Sequence, residues 1–200
     1  MKISVAILIS GEGSNMVELV KSMDNEHPAF PSVVISNRPD AKGLLKAQDL
    51  GVPTKILETK SLKNFGLDFE TELIKTLREY NVKVICLAGF MQILSKKIID
   101  NFKDRILNIH PSLLPRYRGL NTHARVLASN DTVAGCSVHL VTPELDGGPV
   151  LAQTKVEITK NETVKSLAAK VLAAEHILYP KVLLNFSNQL RKSIEAYGCK

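Results

Sequence analysis

Tryptophan is absent from this 200-residue chain, and aromatic residues make up only 5% of it. A nucleic-acid surface wants stacking rings interleaved with a basic stripe. Here 26 lysines and arginines are scattered among 20 carboxylates, so the net charge of +6 reads as a solvated surface that attracts small anions, and no nucleic acid is expected as a partner. Cysteine is scarce. Cys86, Cys136 and Cys199 are an odd number without close pairing or metal-ligand spacing, which fits reduced thiols in a cytoplasmic protein and no metal site. No apolar run approaches the roughly 20 residues of a membrane span, so no membrane partner is expected. The opening Met1 to Ile9 sets one lysine before an apolar run, but Gly-Glu-Gly-Ser-Asn follows in place of a small-residue cleavage pattern, and the run reads as a buried first strand.

Two further absences bear on ligands. The loop Ser10 to Asn15 contains Gly11 and Gly13, but Met16 stands where a dinucleotide fingerprint needs its third glycine. The second strand, Ser32 to Ser36, runs into Asn37 rather than into an acidic ribose ligand, and a Walker A sequence is missing. What remains suits one phosphate monoester held by Gly13, Ser14 and Asn15 at a helix N-terminus. A tight strand-to-helix turn with Ser14 or Asn15 as cap accounts for the same residues.

With 44% hydrophobic and 23% charged residues, the chain has the composition of an ordinary soluble domain with a substantial core. After the first strand, Met16, Leu19, Val20 and Met23 follow helical spacing. Pro39 to Leu50 reads as a helix closed by Gly51, Pro53 to Leu57 as a strand, Glu58 to Gly66 as a polar mobile link, Leu67 to Tyr80 as an amphipathic helix and Val82 to Leu87 as a buried strand. This alternation predicts an α/β fold with a doubly wound, mostly parallel sheet and right-handed crossovers. A helix near His123 to Ser129 precedes two strands, Cys136 to Val141 and Val150 to Ile158, which read as a C-terminal β-hairpin. The last helix begins near Asn161 or Thr163, and Pro180 is expected to kink or restart it.

The chemistry gathers around Ile106 to His110. Strand periodicity puts Asn108 and His110 on one face, roughly 6.5 Å apart, and Pro111 ends the strand. Taken singly, each is as well explained by a strand end or a satisfied core histidine. Ala88 to Leu94, after the fourth strand, is either core packing or the wall of a pocket for a flat apolar ligand. Together with the glycine loop these segments fall on the carboxyl edge of the sheet, where doubly wound folds bind ligands. Asp146, within Pro143 to Pro149, is explained by hairpin turn chemistry alone. His139 shares a face with Ser137 and reads as a solvated strand residue, and His176 as structural. Glu175 lies on an apolar stripe with Val164, Ala168, Val171 and Leu178; a carboxylate there needs a lateral salt bridge or a ligand.

Five motifs carry a resemblance that runs from about Lys2 to Phe186. They are Ile9-Ser10-Gly11-Glu12-Gly13-Ser14-Asn15, Leu87-Ala88-Gly89-Phe90-Met91, Asn108-Ile109-His110-Pro111-Ser112-Leu113-Leu114-Pro115, Glu144-Leu145-Asp146-Gly147-Gly148-Pro149 and Glu175-His176. The chain resembles the folate-dependent phosphoribosylglycinamide formyltransferases of purine (IMP) synthesis. The third motif is shared by formyl-tetrahydrofolate-using enzymes at large, and the first and last narrow the resemblance to the glycinamide ribonucleotide branch.

The resemblance implies a Rossmann-like formyltransferase fold over residues 1–200, with 1–107 as nucleotide-binding half and 108–200 as catalytic and folate half. It implies transfer of the formyl group of 10-formyltetrahydrofolate to the amine of glycinamide ribonucleotide, by direct amine attack and without a metal. Gly13, Ser14 and Asn15 match the phosphate loop, and Glu175 a residue that holds the ribose hydroxyls. Met91, Gln92, Ile93 and Leu94, with Asn108 and the loop 142–148, match the folate pocket, and Asn108, His110 and Asp146 the catalytic trio. Asp146 beside His110 would favour the imidazolium, a donor for the formyl oxygen. Gln92 stands where many relatives have arginine, Gly66 falls near another such position, and Asn121 replaces a frequent histidine whereas His123 is kept; these bear on the folate's glutamate tail. The expected partners are the two small molecules, bound to a monomer or homodimer. A formyltetrahydrofolate hydrolase, another formyl-folate transferase and a non-catalytic phosphate-binding module are the alternatives.

Overall fold

A computed structural model describes residues 2–197; Cys199 lies outside the described residues. One seven-stranded sheet runs through the molecule in the order β3-β2-β1-β4-β5-β6-β7. Strands β1 (Ile3–Ile9), β2 (Ala29–Ser36), β3 (Thr54–Ile56), β4 (Val84–Leu87) and β5 (Ile106–His110) are parallel. The hairpin of β6 (Val133–Leu140) and β7 (Val150–Glu157) joins β5 antiparallel, so the sheet is doubly wound and mostly parallel, as expected.

All seven residues of β1 are buried, because the sheet is covered on both faces. Period two then divides them between two cores. Ile3, Val5, Ile7 and Ile9 pack with residues of helices α1 (Ser14–Ser22), α2 (Gly43–Asp49) and α7 (Val164–Tyr197). Ala6 and Leu8 face the other way, toward α4 (Phe69–Glu79) and α5 (Lys96–Asn101). Tyr179 of α7 is wholly buried, and its hydroxyl donates to the carbonyls of Leu87 (3.2 Å) and Leu107 (3.0 Å). A single side chain thus ties the last helix to β4 and β5, the two strands whose ends carry the site.

Several expectations need correction. Residues 58–66 hold a short helix, α3 (Thr59–Asn64), rather than only a polar link. The helix expected from Pro39 begins at Gly43, because the Gly43 N–H is taken by the Gly11 carbonyl at 3.0 Å and the preceding residues form the turn that brings it there. Pro180 does not restart α7, which runs on for 34 residues. Proline removes a single backbone hydrogen bond, and the buried Leu178, Tyr179, Val182 and Leu183 around it keep the helix on the sheet. Val164, placed on the apolar stripe, is 49% exposed; Leu167 fills that position in the core. Among the described residues, no helix is long and apolar enough to cross a membrane.

Candidate active site

The order of the sheet reverses between β1 and β4, with β2 on one side of β1 and β4 on the other. A cleft of about 730 Å³ lies beyond the carboxyl ends of β1, β4 and β5, and Asn15, Asn108, His110, Asp146 and Glu175 all line it. Doubly wound sheets bind ligands at this switch point because successive crossovers leave on opposite faces and open a crevice.

At one end of the cleft β1 turns sharply into α1. Gly13 adopts φ 72°, and a Cβ there would lie 2.7 Å from the Gly43 Cα, so the close approach of loop and α2 requires glycine. No side chain caps α1, so its first N–H groups have no side-chain partner; of Gly13, Ser14 and Asn15, Asn15 lines the cleft. Asn15, in its first turn, is buried and donates from Nδ2 to Glu175 Oε2 at 2.7 Å, while its own Oδ1 is buried without a partner. Glu175 is 6% exposed. Burial pushes its carboxyl above the ordinary range, opposed only by the Asn15 hydrogen bond. The misfit on the apolar stripe is therefore a buried carboxylate facing the cleft, with room for further donors.

At the other end β5 presents Asn108 and His110 on one face, as strand periodicity predicts. The antiparallel register sets His139 of β6 opposite Asn108. His139 is 2% exposed, which corrects its reading as a solvated residue. Its Nδ1 lies 2.9 Å from the Leu140 carbonyl, which can only accept, so Nδ1 carries a proton, and its Nε2 stands between Asn108 Nδ2 at 3.0 Å and Asp146 Oδ1 at 3.6 Å. Sequence alone could have found His139 through the cross-strand pair, but alternation does not tell which face of an antiparallel strand meets the pocket.

His110 is 6% exposed and held the same way. Its Nε2 donates to the Tyr117 carbonyl at 3.0 Å, and its Nδ1 lies 3.4 Å from Asp146 Oδ2, longer than a good hydrogen bond. Asp146 sits at φ 49° in the turn before Gly147 and Gly148, where a Cβ on Gly148 would lie 1.9 Å from the Leu140 carbonyl oxygen. Turn geometry and site geometry coincide here. Burial pushes the Asp146 carboxyl up, but His139 at 3.6 Å, the Gly119 N–H at 2.8 Å and His110 outweigh it and leave it below the ordinary range. Half-buried His123 also lines the cleft; burial and then the neighbouring His110 push its imidazole down.

The segment between the two ends is mixed. Met91 and Ile93 are 72% and 77% exposed at the cleft rim, while Leu94 is buried in the core. Gln92 accepts weakly at Oε1 from Asn37 (3.4 Å) and Thr59 (3.3 Å), which ties α3 to this wall. Among the described residues, no three or more His, Cys, Asp or Glu side chains are placed to hold a metal ion.

Known proteins match this arrangement along nearly the whole chain. Phosphoribosylglycinamide formyltransferase of Escherichia coli (strain K12) is 39% identical over 186 residues, which cover 92% of this chain and 87% of that protein. A solved structure of phosphoribosylglycinamide formyltransferase from Brucella melitensis superposes with a TM-score of 0.88 at 42% identity, covering 94% of this chain and 96% of that one. The trifunctional purine biosynthetic protein adenosine-3 of Bos taurus is 40% identical over 183 residues; the chain spans 91% of its own length there but 18% of the bovine protein. The model of the formyl transferase family matches residues 3–183, from the first strand through the helix that carries Glu175, and the chain belongs to that family.

Proposed function

We propose that this chain transfers the formyl group of 10-formyltetrahydrofolate to the amine of glycinamide ribonucleotide, a step of purine synthesis. The observation that carries the proposal is the pairing of two ends in one cleft: an under-bonded carboxylate and open helix N-terminus, and an amide, imidazole and carboxylate a few ångströms apart. Gly13, Ser14 and Asn15 bind the phosphate and Glu175 takes the ribose hydroxyls, whose two donors complete its hydrogen bonding. The formyl folate lies against Met91, Gln92, Ile93, Leu94 and Asn108, with the loop 142–148 across it. Residues 1–107 bring the phosphate loop and 108–200 the catalytic groups; each half touches both ligands, since Asn15 meets Glu175 and Met91 lines the same cleft as Thr142 to Asp146. No metal and no macromolecular partner is needed for this step, and a monomer or homodimer in the cytoplasm suffices.

The chemistry follows from which atoms are free. The neutral amine attacks the formyl carbon, and negative charge grows on the formyl oxygen. Asn108 offers an amide hydrogen, aimed by the contact with His139. His110, anchored through Nε2, offers Nδ1–H, and Asp146 stabilises the imidazolium that donates it. The proton lost by the amine then passes to the departing folate nitrogen through His110 or a water. The test is to mix purified protein with both substrates and follow release of tetrahydrofolate optically. Release that requires the amine and is lost in His110→Ala supports the transferase. Release without the amine makes it a hydrolase, and no release with retained nucleotide binding makes it a binding module.

A further inference from the structure

One loop holds both His110 and Asp146, and that loop is itself held by side chains that take no part in the transfer. Residues 111–121 lead from β5 to α6 (Thr122–Ala128). The Tyr117 carbonyl accepts from His110 Nε2 (3.0 Å), and the Gly119 N–H donates to Asp146 Oδ2 (2.8 Å). Tyr117 stands at φ 56°, a left-handed conformation that is unfavourable for a side chain with a Cβ. Its outer end shows what holds it there. The phenol donates to Asp131 Oδ2 at 2.5 Å and lies 2.6 Å from Ser129 Oγ. Arg116 reaches the same carboxylate at 2.7 Å and stands 5.1 Å over the Tyr117 ring, with Arg125 5.6 Å from that ring. Arg125 also donates to the carbonyls of Arg118 (2.5 Å) and Leu120 (3.3 Å). Asp131 lies two residues before β6, the strand whose far end carries His139. The cluster therefore ties this loop to the start of β6.

We propose that Asp131 and Tyr117 are positioning residues, a latch that fixes the left-handed turn and with it the backbone groups that orient His110 and Asp146. The proposal rests on the transferase reading of the site. Without the Asp131 carboxylate, the phenol and Arg116 lose their common acceptor and the turn relaxes toward negative φ. The Tyr117 carbonyl then rotates away from Nε2, and His110 loses the contact that makes Nδ1 its working nitrogen.

The experiment compares wild type with Asp131→Ala, Asp131→Asn and Tyr117→Phe, by steady-state kinetics and by long-range 15N–1H spectra of the histidine side chains, with His110→Ala supplying the assignment. In Asp131→Ala the His110 Nε2–H signal shifts and kcat falls roughly 10- to 100-fold, as misplacement of a reacting group does, while KM for the nucleotide is unchanged. Asp131→Asn, which keeps an acceptor for the phenol, falls between. A folded Asp131→Ala protein with unaltered His110 signals, or with altered signals and full kcat, overturns the latch. Should Asp131→Ala not fold, Tyr117→Phe, whose ring stays between the guanidiniums, is judged by the same two readouts. Should wild type turn over no formyl donor, the transferase reading fails and the His110 spectrum alone decides the latch.

Discussion

Two carboxylates mark the two ends of one cleft, and their surroundings push them in opposite directions. Asp146 is met by a backbone N–H and two imidazoles already in place, and it is held below the ordinary carboxylate range despite burial. Glu175 is met by one amide, and burial drives it above that range. The difference is one of completeness. The surroundings of Asp146 are assembled before anything binds, whereas on the proposed reading Glu175 lacks donors that the nucleotide would bring. An end built to stabilise charge during reaction should affect kcat, and an end completed by the ligand should affect KM.

The largest effect expected from breaking this contrast is at Asp146. Asp146→Asn keeps the shape and the acceptor for Gly119 but removes the charge that faces His110 and His139. Steady-state kinetics with both substrates should show kcat reduced by roughly 100- to 1,000-fold, with KM for the nucleotide unchanged. A comparable rise in KM instead would place Asp146 at the binding step.

A smaller loss is expected at His139, which supports both Asn108 at 3.0 Å and Asp146 at 3.6 Å. His139→Leu frees the Asn108 amide to rotate and should lower kcat by about tenfold, within the range seen for supporting hydrogen-bond partners. A double-mutant cycle sharpens the test. If His139 acts through Asn108, the pair Asn108→Ala with His139→Leu is no slower than Asn108→Ala alone. Additive losses would mean that His139 acts through Asp146 or touches the substrate itself.

His139 also shows where sequence legibility ends. The parallel strands announced themselves because strands buried on both faces are continuous apolar runs, and Asn108 and His110 were legible as a pair because period two is local. Glu175 is legible as a misfit on its own helix, although the buried stripe beside it starts at Leu167 and leaves Val164 exposed. His139 belongs to a pairing between segments some thirty residues apart, and neither strand states the register. Tyr117 was invisible for a related reason: what it gives the site is a backbone carbonyl, which every residue has. The six-residue helices α3 and α5 are too short for a periodic signal, and α7 passes Pro180 because tertiary packing outweighs one lost hydrogen bond.

The smallest effect separates binding from folding at Glu175. Glu175→Gln keeps an acceptor for Asn15 and removes the charge, so the nucleotide's hydroxyls meet a weaker acceptor and KM should rise roughly tenfold while kcat holds. In the ligand-free protein the same change should stabilise. The folded-state pKa of Glu175 is raised above its ordinary 4.5, so the folded chain holds this proton more tightly than the unfolded one. That contribution is fully present below pH 4.5 and is lost as pH rises through the folded value. Glutamine never ionises and loses nothing. Thermal unfolding should therefore show Glu175→Gln more stable than wild type at pH 7 and indistinguishable from it near pH 4. Saturating nucleotide should reverse the order at pH 7, because wild type then gains the tighter ligand. Glu162, just before the same helix and held down at about 2 by Lys170, Ser166 and Thr159, is the control: Glu162→Gln should destabilise at pH 7, the opposite sign. A stable Glu175→Gln protein with an unaltered KM would mean that the carboxylate serves the fold alone.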